Sequence, residues 1–170
     1  MNVGHFDRYS SALSTVQVLS AAEDPLLTEG LLVEAYPIAA RIDFLRSIAS
    51  VLLDCRFAVG VEGNTAILTV SGALLFATRG HREPVPQQMT IVEWLPRITD
   101  VWSADIPINW TGPGQMEIGG SNVLFVSGDV PGMDGAPPDF TSVDQATIAE
   151  GLANWESEFL ATQYSLLDLP

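Results

Sequence analysis

Apolar residues recur at helical spacing near both ends of the chain and at strand spacing between them. Tyr9, Leu13 and Val16 fall on one face of a helix predicted over residues 7–20. A second helix is expected from Asp24-Pro25, where Asp can cap and Pro suits the first helical position. Gly30 weakens it and Pro37 ends or kinks it. The most regular stripe is Ile38, Ile42, Leu45, Ala49 and Leu52, with Arg41, Asp43 and Arg46 off it. It predicts a core helix that ends near Asp54.

The period then changes. Residues 57–61 read as a strand, Glu62-Gly63-Asn64 as a turn and residues 65–70 as the return strand. Ser71-Gly72 marks a bulge or turn before a strand over 73–77. Residues 79–88 are polar with two prolines and predict an exposed loop, followed by strands over 89–95 and 101–108. Residues 115–118 and 123–127 flank Gly119-Gly120-Ser121-Asn122, a hairpin signal. Residues 130–138, with three prolines and two glycines, read as a linker or surface loop. They feed a last helix over 143–164, in which Ser142 and Gln145 form a capping box and Ile148, Leu152, Trp155 and Phe159 make the apolar stripe. Helices, a mostly antiparallel meander and a closing helix predict a two-layer α+β fold. One domain is expected over residues 1–170, helical over 5–54, β-rich over 55–128, a loop over 129–141 and helical again over 142–165.

Composition adds that the chain must fold. Of 170 residues, 47% are hydrophobic and 16% charged, the opposite of a disordered balance. That apolar share also hints at surface covered by a partner. No run is long enough to span a membrane, the first residues lack the basic-then-apolar order of a signal peptide, and one cysteine cannot make an internal disulfide. The expected location is the cytoplasm, or a virion assembled there.

Charge changes the picture further. All seven basic residues are Arg, against 21 acids, for a net −14. Without Lys there is no Schiff-base or phosphate-loop lysine. Residues 101–170 carry ten acids and no base. Either this is a solubilising surface or an acidic face that docks on a basic partner. Direct nucleic-acid binding is disfavoured, because phosphate contacts need clustered cations.

Candidate chemistry is sparse. His5, His81 and Cys55 show no metal-ligand spacing, and Cys55 reads as core. The segment Arg79-Gly-His-Arg-Glu83 reads as a solvated loop, with contact to an acidic partner or an anion as the alternative. Ser71, Ser121 and Ser127 adjoin glycines in turn contexts rather than a nucleophile elbow, and Gly112-Pro-Gly114 is no phosphate loop. Asp129, Asp134 and Asp139 line a loop but lack calcium-loop spacing. Glu93, Asp100 and Asp105 offer carboxylate pairs of the kind chance supplies among 21 acids. No catalytic residue, cofactor or metal site is assigned. Trp94, Trp102 and Trp110 recur every eight residues and form either an aromatic cluster under a sheet, a partner surface or a small-ligand platform.

The reading is a non-enzymatic structural or protein-binding subunit of a larger assembly, by analogy a viral or phage neck or tail component that oligomerises. Its partner-contacting residues would be Trp94, Trp102 and Trp110 with Glu150, Glu156 and Glu158 of the last helix. The alternatives are an acidic inhibitor or immunity-type protein occupying a basic site, and a small hydrolase or ligand-binding domain using the Trp segment.

Overall fold

The computed structural model describes residues 3, 13–72, 75–79, 89–110, 112–140 and 142–170. In chain order the elements are β1 (Gln17–Val18), β2 (Tyr36–Asp43), β3 (Ile48–Asp54), β4 (Thr65–Ser71), β5 (Leu75–Arg79), β6 (Thr90–Ile91), β7 (Leu95–Ile98), β8 (Trp102–Trp110), β9 (Gly112–Gly120), β10 (Asn122–Asp129), α1 (Gln145–Glu150) and β11 (Leu160–Asp168). One sheet runs β1-β11-β10-β4-β3-β2; the other runs β5-β9-β8-β6, with β7 also paired to β8. All pairings are antiparallel except β1 with β11. The fold is therefore mostly β, and the α+β expectation is overturned.

The largest correction concerns residues 38–52. They form the β2–β3 hairpin, not a core helix, with Ile42 opposite Ala49 and Asp43 opposite Ile48. The turn is locally determined. Asp43 Oδ1 accepts the backbone N–H groups of Leu45 (3.0 Å) and Arg46 (3.1 Å), and Ser47 takes φ 52°. Leu45, expected in the core, is fully exposed. The apolar spacing misleads because β3 is buried on both faces, so its apolar run carries no period of two.

Residues 142–165 are not one helix. Asp144, not Ser142, caps α1, accepting from the N–H groups of Ala146 and Thr147, and α1 stops at Gly151 against Pro138. The chain then turns into β11, whose buried side chains are Gln163 and Ser165 while Leu160 and Leu166 are exposed. That inverted pattern hides the strand. The segment after Asp24 is a series of turns rather than a helix: Asp24 Oδ1 accepts Leu26 N–H at 2.8 Å and its carbonyl accepts from Leu27 and Thr28. Of the helix expected over 7–20, residues 7–12 lie outside the described residues, and Gln17–Val18 are strand. Residues 57–61 form a loop. The strands expected over 65–70, 115–118 and 123–127 fall within β4, β9 and β10.

Gly119–Asn122 is not a hairpin but a change of sheet. β9 pairs in the second sheet and β10 in the first; β4 and β5 change sheets beside them at Gly72. The two strands therefore form one antiparallel ribbon bent across both sheets, the corner-making device of orthogonal sheet packing. Gly72 has φ +65°, and a Cβ on Gly120 would sit 2.7 Å from Ser71 O. On the other side, the N–H of Ile91 donates to Ala35 O and that of Glu34 to Ile91 O, stitching the sheets together.

Two clusters fill the interior. Ala49, Val51 and Leu53 of β3 and Ala66, Leu68 and Val70 of β4 meet Trp102, Ala104, Ile106 and Ile108 of β8 between the sheets. Leu52 and Ile67 point the other way, onto Val130, Met133, Ala153 and Phe159. No helix among the described residues is long and apolar enough to cross a membrane.

Substitutions separate the hairpin from a helix. Leu52→Ala is expected to cost about 2–5 kcal/mol, and Gly120→Val about 1–3 kcal/mol from overpacking the corner. Leu45→Ala should stay within about 0.5 kcal/mol of wild type. Urea midpoints measure all three, and an equal loss at Leu45 and Leu52 would contradict the hairpin.

Candidate functional site

An open cleft of about 520 Å³ lies where β3 ends and β4 begins. Its floor and walls include Cys55, Phe57, Val61 and Met133, and Asp129 and Asp134 are on its lining. Three polar arrangements build it, and each is spent on structure.

Asp54 is fully buried beneath the cleft and paired with Arg56. Arg56 Nε donates to both carboxylate oxygens, at 3.0 and 3.1 Å. The same guanidinium reaches Gly151 O (2.9 Å) and Gly135 O (3.3 Å), so one ion pair ties the end of β3 to two distant loop segments. Asn64 is a second tie: its amide nitrogen donates to Val130 O (3.1 Å) and its amide oxygen accepts Val130 N–H (2.8 Å). Asp129, meanwhile, accepts Asn64 N–H at 3.0 Å.

Cys55 brings a thiol to the lining. Burial, and then the neighbouring Asp54 carboxylate, push its thiol far above its usual value, so it stays protonated and unreactive at neutral pH. His5 and His81 lie outside the described residues. Among the described residues no three His, Cys, Asp or Glu side chains converge on a metal position. Asp139 accepts from Ser142 Oγ, away from Asp129. Asp105 is held by Arg97 (3.2 Å) and Gln115 (3.2 Å), while Glu93 and Asp100 are exposed.

The tryptophans are divided. Trp94 and Trp102 are buried, their rings 6.2 Å apart, with indole N–H groups donating to Pro25 O (2.6 Å) and Leu26 O (2.8 Å). They pin the turn segment after Asp24 to the second sheet and are not on the surface. Trp110 is in β8, and its side chain lies outside the described residues. Glu150, Glu156 and Glu158 are all exposed. Glu156 pairs loosely with Arg41 (3.6 Å), whose guanidinium lies over the Trp155 ring. The three are not on one helix face, because only Glu150 belongs to α1.

Sequence reasoning missed the exposed apolar side chains at the two ends of β3. Phe44 (81% exposed) and Leu45 (100%) form the β2–β3 tip; Phe57 (48%) and Val59 (91%) stand beside the cleft at the other end. Adjacent bulky apolar residues just after a turn-forming Asp were the available signal, obscured by the helical stripe.

Two measurements test the structural roles. Arg56→Ala leaves Asp54 buried without its partner and should cost about 3–5 kcal/mol. For Cys55 the raised thiol value gives a definite sign. Stability is fully present below the usual thiol value of 9.0 and falls as pH rises above it, because only the unfolded thiol ionises readily. Denaturation at a series of alkaline pH values should show Cys55→Ala losing less stability than wild type over that range. Parallel curves would contradict the buried, neutral thiol.

Comparison with protein-family models, with curated proteins and with solved structures gives no match, so the site is read from its own geometry.

Proposed function

We propose that the chain acts as a non-catalytic, protein-binding subunit of a larger assembly. The observation that carries this reading is the pair of exposed apolar groups at opposite ends of β3, Phe44 with Leu45 and Phe57 with Val59. A connection that only had to turn would be polar. Exposed bulky residues on a turn fixed by its own hydrogen bonds suit an anchor that enters a partner's pocket. The polar groups around the cleft support the same reading, since Asn64, Asp129 and the Asp54–Arg56 pair are already engaged with backbone or with each other.

A second reading, docking of an acidic face on a basic partner, is favoured by residues 139–158. They carry Asp139, Asp144, Glu150, Glu156 and Glu158 and no base. Salt separates the two. Contacts made by Phe44 and Leu45 hold or strengthen as salt screens repulsion between acidic chains, whereas an acidic docking face weakens over a Debye length of about 10 Å at 0.1 M.

Light scattering on the purified chain over a concentration series, at low and high salt, is the test. A mass above the monomer that persists at high salt is expected. A monomer at every concentration and salt would overturn the assembly reading. For the acidic face, Glu150→Lys, Glu156→Lys and Glu158→Lys together should keep the fold within about 0.5 kcal/mol per site. Unchanged association rates in that variant at both salts would remove the second reading.

A further inference from the structure

Resting on the assembly reading above, we infer that the β2–β3 tip of one copy seats its Phe44 and Leu45 side chains in the cleft of a second copy, joining chains head to tail. Four observations converge on this.

The tip is preorganised. Asp43 Oδ1 fixes the backbone at Leu45 and Arg46, and Ser47 takes φ 52°, so the backbone that carries Phe44 and Leu45 needs no further ordering.

The cleft fits them. Its lining sets the apolar Phe57, Ala58, Val61 and Met133 beside polar groups that include Asn64 and Asp134. Its volume of about 520 Å³ exceeds the need of two side chains with about eleven heavy atoms between them, at about 30 Å³ for each water-sized group.

Placement excludes the chain's own tip. The tip precedes β3 and the cleft follows it, with the seven residues of β3 between. At about 3.3 Å per residue they are held about 20 Å apart by a strand paired on both sides, so a chain cannot fill its own cleft. A copy displaced along the strand direction can. Such a contact uses two different surfaces and is heterologous, leaving a free tip at one end and a free cleft at the other.

Charge selects the same pairing. Two copies of −14 repel each other wherever acid meets acid. The tip offers a cation beside exposed apolar atoms. Arg46 is 59% exposed there, and its contact with Asp43 is loose at 3.8 Å. The cleft offers the exposed Asp134. An anionic lipid surface is a poor occupant for a chain of this charge.

Three forms of the full chain test the inference. In the first, Phe44→Asp and Leu45→Asp remove the apolar tip, with both positions exposed so that the fold is preserved. In the second, Gly135→Trp plugs the cleft. A Cβ at Gly135 meets nothing within 4 Å, and the backbone carbonyl that Arg56 uses is kept. The third is wild type. Sedimentation velocity should show wild type associating with concentration, and each variant reduced to a monomer with its unfolding midpoint unchanged. Mixed in equal amounts, the variants should form a dimer of about twice the monomer mass and nothing larger, because the tip variant keeps its cleft and the plugged variant keeps its tip. Wild-type assembly that survives in either variant, or a mixture that stays monomeric, overturns the head-to-tail contact while leaving the assembly reading in place. A monomeric wild type overturns both. A wild-type monomer that sediments with phosphatidylcholine vesicles, while the tip variant does not, overturns the contact in favour of a lipid occupant.

Discussion

Two backbones cross from one sheet to the other at a single corner, and the space between them there has no room for a Cβ on Gly120. The rest of the fold depends on that approach. Because β4–β5 and β9–β10 bend together, one ribbon sets register in both sheets: Ser71 lies opposite Asn122 on one side of the corner and Leu75 opposite Gly119 on the other. Register decides facing, since a slip of one residue would turn every side chain of a strand to the opposite face. The ribbon thus determines that Val70 and Val123 enter the interior from the first sheet and Ile118 from the second. Trp102 completes the arrangement by filling the space between the sheets and anchoring the turns after Asp24 through its indole N–H.

The first sheet has a second demand, because its other face must also be covered. Residues 130–159 provide that cover, contributing Val130, Met133, Ala153 and Phe159 with hardly any regular structure of their own. Irregular backbone over a core needs external ties. Arg56 and Asn64 supply them by bonding to Gly135, Gly151 and Val130. The cleft is a consequence: the guanidinium and the carboxamide fasten the cover along the end of β3 while leaving a recess beside the 55–64 loop.

This division explains what the sequence disclosed. Strands buried on one face alternate plainly, as in Trp102, Ala104, Ile106 and Ile108 of β8 against Ser103, Asp105 and Pro107. Strands buried on both faces do not, and Ala49 to Leu53 fit helical spacing equally well. The β-branched Ile38, Ile42, Ile48 and Val51 were the available tie-breaker. β11 was harder, because its inward residues are polar: Ser165 Oγ donates to the buried Asp24 carboxylate at 2.6 Å. The end loops of β3 were misread for the same reason as the strand between them. A helix through residues 38–52 places Leu45 in the core, and a strand over 57–61 gives Val59 a neighbour it does not have. The Trp series was legible as a feature, with the aromatic-cluster alternative holding for Trp94 and Trp102.

The same burial pattern limits where a partner can reach. The inner strands β3 and β4 of the first sheet are covered on both faces, and the outer face of the second carries Asp105 in contact with Arg97 and Gln115. Among the described residues, the most exposed bulky apolar side chains include Phe44, Leu45 and Val59, in the connections at the two ends of β3. Contacts there require no rearrangement of either sheet, so anchors at those positions can be strong without disturbing the core. In a head-to-tail assembly the flanks would remain in water, and there Glu150 and Glu158 stand exposed. Like charges along the flanks of successive copies would oppose side-by-side association and the edge-to-edge strand pairing that open sheets invite. The uneven charge would then act as the complement of the apolar ends, restricting growth to one direction.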